Sequence, residues 1–362
     1  EHYKPLRVQN MVYKDNPLLA MMPKYTKFGG ENMPIPLIYS NPQRRSATFA
    51  TGQSNTSTSA LKQFVLTRVK DYGFASITGE SIKATERDSD AFLRYATMEI
   101  DGALHSLTRS LAVAMYGDGS GSIGTLSVDP GTGTTYTLTN AENITNFEVG
   151  MEVVFADSTG DALRAGGSRT ITAIDRDAGT FTAAAANSAL DAADDIFQEG
   201  DYVSASDRLK VSGLEAWCPT SAPGATTFFG VNRTADVTRL GGNRFDGSAL
   251  PIEEALIGGA ARVAREGGSP DHCFVDFATF SNLEKALGSK VVYSEAKARD
   301  VDIGFSAISL RGPRGTIQIV PDQNCQPNTA WMLQMDTWSL NTLGEAPMFL
   351  DLDNNRMLRE SA

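Results

Sequence analysis

One stretch of this sequence, residues 90–116, constrains the fold more than any other. Its apolar residues recur at gaps of three and four, which places them in one stripe on a single helical face. The stripe consists of Leu93, Ala96, Ile100, Leu104, Leu107, Leu111 and Met115. At about 1.5 Å per residue, such a helix is about 40 Å long. Because the glycine-rich run at residues 117–121 ends it, we predict a long spine helix, with His105 and Arg109 facing water or a partner.

Almost the whole net charge of the chain lies in one segment. The 362 residues carry a net charge of −11, and residues 122–201 account for −10 of it, with 13 acidic and three basic residues. The same segment contains no Lys, His, Cys or Trp. A change in composition this sharp predicts a separate domain. Short β-forming runs alternate there with turn residues, which favours a small antiparallel barrel or sandwich.

The first 85 residues are predicted to build arms rather than a core. Prolines punctuate residues 1–45 and favour extended geometry before each of them. The apolar run at residues 16–22 either anchors this arm on another molecule or forms a short helix on its own domain. Residues 46–50 and 61–72, on either side of the polar run 52–59, predict a β-hairpin arm with a mobile tip, or alternatively an edge strand.

After residue 202 the pattern mixes helices and strands, which makes the whole chain α+β. Helices are predicted at residues 251–266 and 276–287, and strands at 273–275, 303–310, 316–320 and 330–335. Three separate cysteines argue against a disulfide framework or a zinc site and favour a reducing, intracellular setting. No apolar run reaches the roughly 18 residues of a membrane span. A sequence that begins at Glu1 leads us to expect a processed or trimmed N-terminus.

Candidate chemical motifs are few, and each has a structural explanation. The run at residues 119–124 matches G-x-G-x-x-G, but it follows a helix and opens a β segment, whereas a dinucleotide fingerprint does the opposite. His272 and Cys273 are neighbours on a predicted strand, so their side chains point to opposite faces and cannot form a catalytic dyad. We therefore predict no catalytic residues, no cofactor-binding residues and no enzyme activity.

Two acidic clusters contain carboxylates that could bind a metal ion, and each also has a structural explanation. Residues 175–179 resemble a calcium loop without its later ligands, and a hairpin turn explains them. A second cluster is interpreted as a solvated acidic rim, since no spacing imposes a cage; it comprises Asp191, Asp194, Asp195, Glu199 and Asp201. We predict no metal ligands and no cofactor.

The order of the parts resembles the major capsid proteins of tailed bacteriophages, with the Hong Kong 97-like fold. The matching segments are residues 16–24, Gly29-Gly30, Pro34-Ile35-Pro36, and residues 116–121, 211–214, 304–320 and 336–344. The resemblance implies an N-terminal arm (1–45), an extended β-hairpin loop (46–85), a peripheral domain with the spine helix (86–121), an acidic β-rich insertion domain (122–202), an axial domain (203–302) and closing peripheral strands (303–362). It also implies a further helix and strand after Ala362, or a shorter member of the family.

The resemblance further implies a structural protein of the virion, assembled in the host cytoplasm. Its main partner would be itself, in hexamers and pentamers of an icosahedral shell around double-stranded DNA. Scaffold, maturation protease, portal and decoration proteins are further expected partners, and no membrane is. Some relatives cross-link through a hairpin lysine, for which Lys62 and Lys70 are available without an identified partner residue. Alternatives are an encapsulin-like nanocompartment, an intracellular hydrolase with a β domain, and a glycan-binding module using Tyr136.

Overall fold

The structure is a computed structural model that describes residues 15–55, 57–75, 89–158, 162–202, 209–288, 293–297 and 304–344. Its α-helices are α1 (Pro17–Met21), α2 (Phe49–Ser54), α3 (Ser89–Tyr116), α4 (Leu214–Trp217), α5 (Ile252–Arg265) and α6 (Phe277–Leu287). Its strands are β1 (Lys24–Tyr25), β2 (Asn32–Ser40), β3 (Ala60–Thr67), β4 (Ser122–Thr125), β5 (Thr135–Thr137), β6 (Glu152–Ala156), β7 (Arg169–Asp175), β8 (Thr180–Ala183), β9 (Asp195–Gln198), β10 (Thr227–Phe228), β11 (Val231–Asn232), β12 (His272–Val275), β13 (Tyr293–Lys297), β14 (Gly304–Gly312), β15 (Gly315–Pro321), β16 (Ala330–Leu333) and β17 (Leu340–Asn341). Helices and sheets together confirm the α+β class.

A five-stranded mixed sheet forms the centre of the C-terminal half, in the order β13-β14-β15-β12-β16. The strand β12 is parallel to β15 and antiparallel to β16. Helices α5 and α6 pack on one face through Leu256 and Leu283, and the other face contributes Phe274 to the main core. The sheet therefore spans the predicted boundary between residues 302 and 303.

The spine helix is present as α3, which has 28 residues and ends directly before Gly117, as predicted. Its C-terminal half buries Leu104, Met115 and Tyr116 in the main core. His105 is exposed, as expected for a residue off the apolar stripe. Leu93 and Ala96, the first two residues of the predicted stripe, have side chains outside the described part of the structure.

The apolar run at residues 16–22 forms the short helix α1, and all five of its residues are buried in the chain's own core. Of the two alternatives for this run, the short helix on its own domain is the correct one. The next strand, β1, pairs in parallel with β17, more than 300 residues later in the chain. Apolar burial outweighs the extended bias of the prolines here, so this part of the predicted arm is fixed within the subunit.

The hairpin exists, but its first strand was predicted in the wrong place. The strand β2 lies inside the predicted arm and pairs antiparallel with β3, whereas the predicted strand at residues 46–50 runs into the helix α2. Pro34 and Pro36 argue against a strand in sequence, because proline cannot donate to a sheet. In a two-stranded sheet each strand has one edge without a partner strand. Prolines are tolerated at such an edge, because no hydrogen bond of the sheet is needed there.

The acidic segment forms a six-stranded antiparallel sheet in the order β4-β9-β6-β7-β8-β5. Its two ends also meet: the amide of Ser127 donates to the carbonyl of Thr137 at 2.8 Å, and the amide of Thr139 donates to the carbonyl of Thr125 at 2.9 Å. These bonds close the sheet into a small barrel with a core of its own. Within the described residues, its strands pair into a sheet only with one another.

Candidate functional site

The inner half of the hairpin rests on the subunit's own surface. Phe64 of β3 is buried, and its ring meets the edge of Trp217 at a centroid distance of 5.3 Å. The amide of Val65 donates to the carbonyl of Phe229 at 3.1 Å. On the other strand, the Arg239 guanidinium donates to the carbonyl of Tyr39 at 2.7 Å. These contacts fix the direction in which the hairpin leaves the body.

The outer half, which we call the hairpin tip (residues 41–55 and 57–59), has hydrogen bonds of its own but buries almost nothing. The amide of Gln43 donates to Ser57 Oγ at 2.8 Å, across the neck of the tip. The helix α2 has no buried residue, and 85% of Phe49 is exposed. The tip carries Arg44 and Arg45, and residues 32–70 contain no acidic residue. It is a basic segment with an apolar side chain that the subunit does not cover.

A buried lysine joins the hairpin base, the spine helix and the barrel. Lys210 is 8% exposed, and its ammonium contacts Asp71 at 2.9 Å, Asp201 at 3.0 Å and Ser110 Oγ at 3.0 Å. Asp71 belongs to the chain leaving β3, Ser110 to α3, and Asp201 to the chain leaving the barrel. Burial raises the pKa of Asp201, and the bond from Lys210 opposes that rise.

Two glycines let the chain enter and leave the barrel at one point beside the end of α3. Gly121 has φ of +94°, and a Cβ there would lie 3.2 Å from the carbonyl oxygen of Asp201. A Cβ on Gly213 would lie 2.3 Å from the carbonyl oxygens of Ala114 and Met115. The approach at Gly213 excludes any side chain, and at Gly121 the positive φ favours glycine. The run at residues 119–124 is therefore a junction that leads from α3 into β4.

A cleft of about 320 Å³ lies at this junction, between α3 and the base of the barrel. Apolar groups from both sides form part of its lining, including Val113 from the helix and Ile123 and Met151 from the barrel. Three acidic and two basic side chains also line it: Asp118, Glu148, Asp201, Arg109 and Lys210. The Nε of Arg109 is buried without a hydrogen-bond partner, and burial lowers the pKa of its guanidinium.

The residues weighed for catalysis do not form a nucleophilic site. Cys273 is fully buried, and burial raises the pKa of its thiol to about 12. In the neighbouring residue His272, the Nδ1 atom lies 3.2 Å from Asp271 Oδ1, and the imidazole ring stacks on the ring of Phe274. Burial also raises the pKa of the Cys218 thiol to about 11. A thiol needs the opposite shift to act as a nucleophile near neutral pH.

The acidic run at residues 191–201 is only partly the solvated rim that the sequence predicts. Asp191 and Glu199 are exposed, but Asp194 is completely buried, so the prediction is wrong for Asp194. Arg164 holds the Asp194 carboxylate with two bonds of 2.9 and 2.7 Å, which compensates its burial. Burial raises the pKa of Asp195 to about 6.

The remaining features weighed in the sequence are the turn at residues 175–179, the two hairpin lysines, and possible metal sites or membrane spans. Residues 175–179 form the turn between β7 and β8, where the amides of Asp177 and Ala178 donate to Asp175 Oδ1. Lys62 lies within β3 and Lys70 on the exposed chain after it. Among the described residues, no three His, Cys, Asp or Glu side chains are grouped as a metal site requires. No helix in the described part combines the length and the apolar character needed to cross a membrane.

Sequence reasoning missed the Lys210 junction. Lys210 and Asp71 are 139 residues apart, and neither stands in a motif. The sequence contained only an indirect signal for the position of Lys210. Residues 209–214 follow the acidic segment, and a chain that enters a domain at residue 121 must return near the same point.

The comparisons with known proteins bear on the second half of the chain. A family model described as the SU10 major capsid protein matches residues 188–355. The match begins just before β9 and includes α5, α6 and the five-stranded sheet. The comparisons with curated proteins and with solved structures gave no match. The match confirms the predicted resemblance to phage major capsid proteins, a family of structural rather than catalytic proteins.

Proposed function

We propose that this structural major capsid protein assembles with copies of itself into hexamers and pentamers, which form an icosahedral shell around packaged double-stranded DNA. The observation that carries the proposal is the outer part of the hairpin, consisting of the hairpin tip and the strand ends that lead into it, which the subunit leaves uncovered. Ile38 and Leu61, which are paired across the hairpin, are 59% and 61% exposed, and Phe49 is 85% exposed. A concentration of apolar exposure on one projecting element is typical of a surface that another molecule covers.

The proposal includes the Hong Kong 97-like arrangement of domains. The 28-residue helix α3 would stiffen the shell wall, and the β2–β3 hairpin would extend over a neighbouring subunit. We assign the five-stranded sheet with α5 and α6 to the axial domain. This assignment moves strands β14–β16 from the closing segment into the axial domain, because they share a sheet with β12.

The barrel would be an insertion domain that faces outward. It lies in the segment that carries −10 of the chain's net charge of −11. Packaged DNA is a dense polyanion, so electrostatic repulsion disfavours an inward orientation. The finding of the barrel on the inner surface of a reconstructed particle would contradict this part of the proposal.

Assembly in the host cytoplasm would then involve the usual auxiliary components of such shells. We include a scaffold, a maturation protease, the portal and a decoration protein as proposed partners in the virion. The family match favours a viral shell over a bacterial nanocompartment, since the matched family is that of a phage capsid protein.

Electron microscopy of the purified full chain tests the proposal. We expect negatively stained samples, alone and with scaffold and protease, to contain capsomer rings or closed shells tens of nanometres across. Light scattering as a function of protein concentration would give the concentration at which half of the chain is assembled. A small oligomer of constant size under all conditions would contradict the proposal.

A further inference from the structure

A cavity beside α5 is lined by more positive than negative side chains. It has a volume of about 570 Å³ and lies between this helix and the loop that contains Phe245. Arg244, Arg262 and Arg265 line it together with a single acidic residue, Asp246, which leaves an excess of two positive charges. Pockets for small molecules have volumes of about 300–1,000 Å³. This α5 cavity therefore has the size of a ligand site and a charge that attracts anions.

The sequence of α5 places its two arginines on the face that does not pack on the sheet. Leu256 and Ala260 are buried in the core between the helix and the five-stranded sheet. Residues 258, 261, 262 and 265 recur at gaps of three and four, so they form one stripe on the opposite face. Arg262 and Arg265 also lie in the last turn, where the helix dipole favours positive charge. Helix geometry alone thus brings both guanidinium groups to the α5 cavity.

Arg262 has a hydrogen-bond donor that the subunit does not use. Its Nε atom is buried and has no acceptor among the described residues. A buried donor without an acceptor is destabilising, so native proteins supply one from the chain, from water or from a ligand. An oxyanion in the α5 cavity would offer acceptor oxygens to this guanidinium group.

The other two arginines add positive charge to the α5 cavity. Arg244 is held in place by backbone carbonyls, since it donates to Gly241 at 2.8 Å and to Val237 at 2.7 Å. Carbonyls leave its full charge in place. Arg265 pairs with Glu266 at 3.1 Å, and 59% of the arginine side chain is exposed. A surface pair of this kind is weak, so Arg265 can turn to a bound anion at little cost.

One wall of the α5 cavity is an aromatic ring. Phe245 lies so close to α5 that a Cβ on Gly258 would be 2.6 Å from the Phe245 Cζ atom. The glycine lets the ring rest on the helix, and 45% of Phe245 remains exposed. The carboxylate of Asp246 accepts a bond from the amide of Ser248 at 3.0 Å. The cavity therefore offers guanidinium groups and a flat apolar surface side by side.

We infer that the α5 cavity binds a phosphate ester. Arg262 and Arg265 would donate to the phosphate oxygens, and the organic part of the ester would lie against Phe245. A phosphate monoester carries a charge of about −1.5 to −2 at pH 7, which matches the excess of two positive charges better than a single carboxylate does. The ester could belong to a free nucleotide or to a nucleic-acid backbone. The α5 cavity lies within one subunit, so the inference does not depend on assembly.

Isothermal titration calorimetry on the full chain tests the α5 cavity. The probes are adenosine monophosphate, inorganic phosphate and a short DNA duplex, each at an ionic strength kept constant with sodium chloride. We expect adenosine monophosphate to bind more tightly than inorganic phosphate, because its rings add contact with Phe245. Arg262→Gln should weaken its binding about tenfold. Lys285→Gln removes an exposed charge of α6 that does not line the cavity, and should change the affinity less than about twofold.

A pair of variants at one exposed position keeps the test independent of folding. Ala261 lines the α5 cavity and is exposed, so a longer side chain there disturbs no core. Ala261→Glu and Ala261→Gln have nearly the same shape and differ by one negative charge. We expect the Glu variant to bind adenosine monophosphate about tenfold more weakly than the Gln variant at low salt, and the difference to shrink at high salt. Urea denaturation of both variants checks that they are equally stable.

The probes also separate the two sources of the phosphate ester. Binding of adenosine monophosphate that depends on Arg262 supports a free nucleotide, and binding of the duplex with the same dependence supports a nucleic-acid backbone. Failure of both to bind, or binding that neither Arg262→Gln nor Ala261→Glu weakens, would overturn the inference. It would also be overturned if these variants changed the half-assembly concentration while the unmodified chain bound no phosphate ester, because a carboxylate of another copy would then fill the cavity. Calorimetry needs no shell, so each of these results stands whether or not the proposed function holds.

Discussion

The barrel and the hairpin are both antiparallel β-structure, yet they complete their packing in different ways. The barrel closes on itself and buries Tyr136, Phe155 and Phe181 completely or almost completely. The hairpin rests its inner half on the subunit and leaves α2 without one buried residue. The barrel is therefore stabilised within one chain, whereas the described part of the subunit leaves the hairpin tip uncovered.

The largest expected effect on stability is in the barrel core. The ring of Phe181 stacks on Tyr136 and on Phe147, each at a centroid distance of 5.1 Å. Phe181→Ala leaves a cavity among these rings, so we expect a loss of about 3–5 kcal/mol in the free energy of unfolding, measured by urea denaturation. The control Val149→Ala, at a site 63% exposed, should cost less than about 0.5 kcal/mol. A similar loss in both variants would contradict a closed core.

The second-largest expected effect on stability is at Lys210, which joins the hairpin base to the barrel. Lys210→Met keeps the apolar stem but leaves Asp71 and Asp201 without their cation, and we expect a loss of about 2 kcal/mol because both carboxylates are partly exposed. Arg265→Met removes an exposed pair with Glu266 and should cost about 0.5 kcal/mol or less. If Lys210→Met costs no more than Arg265→Met, the lysine does not tie the three segments together.

A smaller effect concerns the pH dependence of stability at β9, the last strand of the barrel. Burial raises the pKa of the Asp195 carboxyl to about 6, above its ordinary value of 3.8, so the folded state binds the proton more tightly than the unfolded state. Its contribution to stability is complete below about pH 4 and is lost as pH rises through about 6. We expect Asp195→Asn to stabilise the chain by about 1 kcal/mol at pH 7, after allowance for partial exposure, and to have no effect near pH 4. Urea denaturation at both pH values measures this difference, and equal effects at the two would contradict it.

Elements whose burial is set within one short segment were predictable from the sequence, and elements placed by distant residues were not. The spine helix and the barrel strands β5 to β8 were predictable, because an apolar period and turn residues report burial within one short segment, whereas β9 lies in the acidic run and was not predicted. The first hairpin strand was not, since Pro34 and Pro36 signal an extended, non-sheet segment unless the free edge is known. The helix at residues 17–21 depended equally on distant residues, because its place is set by a core formed elsewhere in the chain.

The site was harder to predict than the fold. The absence of a catalytic motif was readable in sequence, as was the charge contrast between residues 32–70 and 122–201. The contact of Lys210 with Asp71 spans 139 residues and depends on where the hairpin base crosses α3. Asp194 was misinterpreted because a carboxylate in an acidic run looks solvated until the position of Arg164, 30 residues earlier, is known.

The smallest expected effect on stability is at Phe49, in the hairpin tip. Phe49→Asp exchanges an aromatic ring for a carboxylate at a site 85% exposed, so we expect the free energy of unfolding of the unassembled chain to change by less than about 0.5 kcal/mol. Under the proposed function the half-assembly concentration should nevertheless rise, because a carboxylate replaces the exposed apolar ring that a neighbouring subunit would cover. Urea denaturation and light scattering on the same preparations measure the two quantities. A loss of more than about 1 kcal/mol in the unassembled chain would show that the tip already packs within its own subunit, and the contrast with the barrel would disappear.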